Sequence, residues 1–229
     1  MLLLSIDTSG KSGGITLAKG DEGSFRVIAS SAIAGGTFSA QLVPTLASML
    51  ENHGFTASDL DGFVAVSGPG SFTGLRVGLS AIKGLAEVLQ KPIATVSLLE
   101  ALAVSSERQG RIAAALDAGR EEIFWGLYDI RSQNAATIEE QLFSHAEFLG
   151  AVKNAGAPLV TSDPMIFDLA RRAGIAAQKA ERPGSETVAR IGLRRLLAGQ
   201  TVRVEELDAN YIRRSDAEIF SSKLPKSAK

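Results

Sequence analysis

Apolar positions fall in short runs parted by glycine-rich or charged turns, and the period of each run assigns its element. Leu2 to Ile6 reads as a buried strand that closes on Asp7-Thr8-Ser9. Ile15-Thr16-Leu17-Ala18 alternates as a second strand, Lys19 to Gly23 is a hairpin-like turn, and Phe25 to Ser31 is a third strand. Gly35-Gly36-Thr37-Phe38-Ser39 leads into a helix over 39–52, with Thr37 or Ser39 as its cap and Gly54 just past its end. Leu42, Leu46, Met49 and Leu50 give that helix its apolar face, and Pro44 is expected to bend it or delay its start. Phe63-Val64-Ala65-Val66 is a fourth strand, a helix covers 73–89, and residues 92–96 form a fifth strand.

A helix over 98–106 leads away, and then the order partly repeats. Arg111 to Leu116 is apolar and closes on Asp117-Ala118-Gly119, as the first strand closes on Asp7-Thr8-Ser9. Strands follow over 122–128 and 137–143, a helix over 145–153, a short strand over 158–161, and helices over 163–173 and 186–197. This order predicts an α/β chain of two related lobes: residues 1–102 with a mixed five-stranded sheet, a smaller lobe over 103–204, and a tail over 205–229. Two lobes that each open on an Asp-bearing hairpin are the plan of the actin, sugar-kinase and heat-shock ATPase class.

The stretch from Ser67 to Leu89 carries the strongest local signal. Ser67-Gly68-Pro69-Gly70-Ser71-Phe72-Thr73-Gly74-Leu75-Arg76-Val77-Gly78 joins a buried strand to a helix start, where backbone N–H groups suit an anion. It fits neither phosphate motif. No Lys stands where a P-loop requires one, and Gly74 falls one place late for the dinucleotide fingerprint. The helix is apolar except along a stripe of Arg76, Ser80, Lys83 and Glu87. Leu75, Leu79, Ile82 and Ala86 form one flank; Gly74, Gly78, Ala81, Leu85 and Val88 form another, flat enough for a second backbone to approach. Two apolar flanks fit either a helix buried between the sheet and its own neighbours or one that packs a flank on a second protein.

Composition narrows the chemistry. In 229 residues there is no cysteine, so disulfides, thiolate catalysis and cysteine-type metal sites are excluded. His53 and His145 stand far apart without metal-ligand spacing and read as surface or loop residues. A net charge of −1 gives no broad basic surface for nucleic acid. Neither a positive n-region nor an apolar run of about 20 residues occurs, so a cytoplasmic protein without a membrane segment is expected. With no G-x-S-x-G elbow, no cysteine and no metal motif, a peptidase has little chemistry to draw on.

The Gly68–Gly78 block, the opening Ile6-Asp7-Thr8-Ser9, the segment Asp117 to Trp125 and the closing Tyr211-Ile212-Arg213-Arg214 resemble the bacterial TsaB family, also called YeaZ. The likeness is strong from residue 2 to about 102 and patchy beyond. It implies the two-lobed actin-like ATPase (ribonuclease H-like) fold and a role in making threonylcarbamoyladenosine beside the tRNA anticodon. In that family TsaD holds the catalytic metal through an H-x-x-x-H motif, absent from this chain, and transfers the threonylcarbamoyl group. The resemblance therefore implies a non-catalytic subunit that pairs with TsaD through the first-lobe helices 39–52 and 73–89. TsaE, an ATPase, joins the complex, tRNA is met only through it, and the chain alone forms a homodimer by the same surface. The chain departs from the family at Phe38, where His is frequent, and at Gly119, which takes the place of an Arg.

These readings select two sets of residues. The partner interface is expected at Leu42, Leu46, Met49, Gly74, Leu75, Arg76, Gly78, Leu79, Ile82 and Lys83, so Gly78→Arg or Leu79→Arg should stop pairing while sparing the fold. A degenerate nucleotide cleft is expected at Asp7, Thr8, Ser9, Ser71 and Asp117, with no metal and no resident cofactor. Weak ATP or ADP binding at that cleft or at the TsaD interface is the alternative, and with it a stand-alone ATPase or phosphotransferase of the actin-like fold. For Asp7 the competing role is purely local, a strand-end carboxylate satisfied by the N–H groups of its own turn.

Overall fold

The computed structural model describes residues 1–132, 134–210 and 212. The chain opens with β1 (Leu2–Asp7), β2 (Ser12–Gly20), β3 (Phe25–Ala34), α1 (Phe38–Asn52), β4 (Gly62–Gly68), α2 (Phe72–Leu89), β5 (Ile93–Ser97) and α3 (Leu98–Val104). It continues with β6 (Gly110–Gly119), β7 (Glu122–Arg131), β8 (Asn134–Ser144), α4 (His145–Ala155), β9 (Leu159–Thr161), α5 (Pro164–Arg172), β10 (Ala177–Lys179) and α6 (Ser185–Leu197). Sequence periodicity missed β10, because Ala177-Gln178-Lys179 carries no apolar pattern; parallel pairing with β9 makes it a strand. The start of α1 is not delayed. Pro44 lies inside the helix, and the Thr37 hydroxyl, instead of capping it, donates backwards to the Ala34 carbonyl at 2.7 Å.

The two sheets have the same topology. The first runs β3-β2-β1-β4-β5 and the second β8-β7-β6-β9-β10. In each, the first three strands are antiparallel neighbours and the last two join in parallel. The expected two-lobed α/β fold, with a mixed five-stranded sheet in the first lobe, is therefore present, and the strand order shows the duplication more clearly than the sequence does.

Side-chain alternation assigns the faces. On the first sheet Gly13 faces Phe38 of α1, whereas Gly14, Gly62 and Val64 face Ser185, Leu196 and Gly192 of α6. So α1 and α2 cover one face and α6 the other. Sequence order groups α6 with the second lobe, whereas in the structure α6 packs on the first sheet. The last helix of each half crosses over, α6 onto the first sheet and α3 onto the inner face of the second. The physical reason is burial: each sheet has a second apolar face, and the other lobe's helix covers it. One core thus runs from the first sheet through α3 to Ile112, Ala114 and Tyr128, and a smaller one lies under α4 and α5 around Trp125 and Phe148.

Polar contacts pin the crossing. Glu100 of α3 is buried, and both its carboxylate oxygens accept from Nη2 of Arg195 on α6, at 2.7 and 2.8 Å. Arg195 also donates to the Thr95 carbonyl. A second set joins the far ends: the Tyr128 hydroxyl donates to Glu140, whose other oxygen accepts from Asn210 Nδ2 at 2.7 Å, while Asn210 N–H donates to Ser67 O at 2.7 Å. Ile212 packs against the main core; Tyr211, Arg213 and Arg214 lie outside the described residues.

Burial raises the Glu100 carboxyl from 4.5 to about 7, with Arg195 opposing the shift. The folded chain therefore keeps a proton that the unfolded chain releases between those values. The stability this contributes is present below pH 4.5 and lost as pH rises through about 7. We expect urea unfolding to show that loss, on the order of 3 kcal/mol, and Glu100→Gln to abolish it. An unchanged pH dependence in the variant would contradict the assignment.

Candidate functional site

The strand–turn–helix unit over 62–89 is seated on the end of β1 by three glycines. A Cβ at Gly70 would lie 2.3 Å from Ser9 O, one at Gly74 2.1 Å from Thr8 O, and one at Gly78 2.3 Å from Thr8 Oγ1. These glycines admit a neighbouring backbone, as the sequence suggested, but the neighbour is this chain's own β1. Gly68 stands at φ +136° and precedes a cis peptide to Pro69. Three donors of the turn and helix start are used internally. Ser71 N–H donates to Ser9 O at 2.7 Å, the Ser71 hydroxyl caps α2 by accepting from Gly74 N–H at 3.2 Å, and Leu75 N–H donates to Ser71 O at 2.8 Å.

Asp7, Thr8 and Ser9 are all buried. Oδ1 of Asp7 accepts from Ser9 N–H at 2.8 Å and from the Ser9 hydroxyl at 2.6 Å, so one oxygen of the strand-end carboxylate is held within its own turn. Oδ2 takes no hydrogen bond among the described residues. Arg182 Nη2 donates to Ser9 Oγ at 3.1 Å, and Asp7, Arg182, Ser185 and Glu186 border a cavity of about 350 Å³ beside the start of α6. Asp117 is exposed and closes a turn of its own: it accepts from Gly119 N–H at 2.8 Å, and its N–H donates to Asp163 Oδ2 at 2.9 Å. Of the five expected cleft residues, Asp7, Thr8 and Ser9 stand together and Ser71 joins them through its backbone. Asp117 does not border the Asp7 cavity. Among the described residues no three His, Asp or Glu side chains gather where they could hold a metal ion.

The expected interface residues separate by burial. Leu42, Leu46, Met49, Leu75, Leu79 and Ile82 are buried in the core of this chain, and Gly74 and Gly78 lie against β1. Their side chains serve this chain's own core, so the expectation that Gly78→Arg and Leu79→Arg spare the fold is corrected. Arg76 stays exposed and Lys83 half-buried. Among the polar residues that α1 and α2 turn to solvent there are also apolar ones: Val43 is 63% exposed and Val88 80%, with Val77, Ala81 and Leu85 partly buried between them. Phe72, Val43 and Val77 border a shallow groove of about 470 Å³ between the helices, and the Arg76 guanidinium lies 3.7 Å over the Phe72 ring. The sequence contained this signal in Ala81, Leu85 and Val88. It could not tell the flank facing β1 from the flank facing water, because glycine suits both.

Comparison with known proteins places this geometry. A family model, TsaD: tRNA N6-adenosine threonylcarbamoyltransferase, matches residues 28–194. The tRNA threonylcarbamoyladenosine biosynthesis protein TsaB of Bacillus subtilis is 31% identical over 95% of this chain and 96% of its own length. The Escherichia coli protein of the same name is 26% identical over 77% of this chain and 81% of its own. Among solved structures, a Pseudomonas aeruginosa protein described as similar to peptidase YEAZ superposes with a TM-score of 0.76 at 26% identity, covering 93% of this chain and 99% of that one. With identity spread over nearly its whole length, the chain belongs to the TsaB (YeaZ) family.

Proposed function

We propose that this chain is the accessory subunit of a tRNA threonylcarbamoyladenosine-forming complex, docking a TsaD-type subunit on the outer face of α1 and α2. The observation that carries this reading is the exposed apolar strip from Val43 across Val77 and Ala81 to Val88, on helices whose inner faces already complete the core. Large apolar side chains grouped on a folded surface mark a place where another surface excludes water. Arg76 and Lys83 flank the strip and add polar contacts at its rim. Catalysis stays with the TsaD-type subunit, tRNA is met through the complex, and a TsaE-type ATPase joins it. Alone, the chain pairs with a second copy through the same face, so the two pairings exclude each other.

A second reading rests on Asp7, which borders the cavity beside Arg182 with one oxygen unpaired. A nucleotide held there would make the chain a stand-alone ATPase or phosphotransferase. Calorimetry with magnesium and ATP on the wild type and Asp7→Ala decides it: binding and turnover that vanish in the variant favour it, and no heat in either removes it.

The docking reading is tested with Val43→Arg combined with Val88→Arg. Because both positions are well exposed, stability should change by less than about 1 kcal/mol. Co-purification with TsaD and formation of modified tRNA by the mixture should both be lost, and light scattering should report a monomer. Pairing that survives the double variant would sink this placement of the interface.

Buried positions should behave in the opposite way. Leu79→Arg places an unpaired charge in the core, and Gly78→Arg drives a side chain into Thr8. Each should cost about 3 kcal/mol or more and lower the melting temperature well before any effect on pairing is read. A native-like melt for either variant would overturn the seating of α2 on β1.

A further inference from the structure

We propose that a notch on the outer edge of the second lobe seats a phosphate group of an RNA backbone. The notch encloses about 170 Å³ at the β9–β10 side of the sheet, and its lining includes Ser106, Arg108, Val160, Arg171 and Gln178 but no carboxylate. Two arginines therefore border one small concavity whose remaining walls are largely apolar. Arg108 is held in place, since its Nε donates to Gln178 Oε1 at 3.0 Å while Gln178 Nε2 reaches the Ser106 carbonyl at 3.5 Å. That arrangement uses Nε and leaves the two Nη groups of Arg108 without a hydrogen bond among the described residues. Arg171 comes from the last turn of α5 and lies 6.0 Å from the Phe167 ring. Among the described residues neither arginine forms an ion pair, although Glu107 and Asp168 are close in sequence.

Positioned guanidiniums without a carboxylate partner fit an oxyanion, and the forked N–H groups of two arginines match a phosphate that offers several oxygens. The charge also extends past the notch. Arg172 on α5 and Lys179 on β10 are further exposed cations on the elements that border the notch. A single free phosphate engages only the two arginines; the successive phosphates of a backbone also draw on such neighbouring charge. β10 is the edge strand of its sheet, and α1 and α2 belong to the other lobe, so RNA here leaves the docking strip uncovered. The choice of tRNA as the probe rests on the proposed function; the site itself does not.

The test is fluorescence anisotropy of an unmodified tRNA transcript with the full chain, alone and assembled with TsaD, between 50 and 200 mM salt. Arg108→Ala with Arg171→Ala should weaken binding several-fold and lower the log–log salt slope by about 1 to 2. Arg108→Lys with Arg171→Lys should keep the slope, and both variants should keep the melting temperature. Light scattering should show pairing with TsaD intact in the alanine variant, which separates loss of the notch from failure of the docking reading. Equal affinity and slope in wild type and alanine variant would overturn the proposal, as would binding of inorganic phosphate without any binding of tRNA.

Discussion

The pairing of buried Glu100 with half-buried Arg195 marks the constraint on which the fold depends. Duplication supplies two five-stranded sheets, and neither lobe covers both faces of its own sheet with its two crossover helices. The third helix of each half must therefore cross to the other sheet. Glu100 sits where α3 meets α6, so one carboxylate and one guanidinium fix the relation between the two lobes. Desolvating that carboxylate opposes folding, which is why its pKa rises despite the arginine. A hydrophobic pair could fill the same space, but it would not tie Arg195 to both Glu100 oxygens and the Thr95 carbonyl at once.

Given that crossing, the outward faces follow. With α6 on one side of the first sheet, α1 and α2 are left on the other, and α2 must lie close to β1 because Gly74 and Gly78 admit nothing larger. The turn before it spends Ser71 N–H and the Ser71 hydroxyl on β1 and on its own helix. A loop that looks made for an anion is thereby converted into a clamp on the strand end, and the Asp7 carboxylate is held from the same side by Ser9.

Much of this was legible in the residues, and the misses share one cause. Short apolar runs between turns located nine of the ten strands, since a strand buried on both faces needs no partner to be seen. Asp7-Thr8-Ser9 and Asp117-Ala118-Gly119 exposed the duplication. Sequence order could not show that α6 leaves its neighbours, because the amphipathic face of Val188, Ile191 and Leu196 does not say which sheet it meets. Glycine misled for a related reason: Gly74 and Gly78 report close approach but not the identity of what approaches. The spacing of Leu42, Leu46 and Met49 suits a contact face and an inner face equally, and it is Val43, one residue along, that is exposed.

That last displacement carries an argument of its own. Val43 and Val88 are more than half exposed, so they add little to the burial that holds this chain together. Scattered singly they would require no explanation, but here half-buried Val77, Ala81 and Leu85 connect them into one strip. The Asp7 cavity opens beside the start of α6, on the sheet face opposite α1 and α2. A protein seated on the strip would therefore leave that cavity, the α3–α6 crossing and the arginines of the second lobe uncovered. The helix crossing that joins the lobes is also what keeps these surfaces apart.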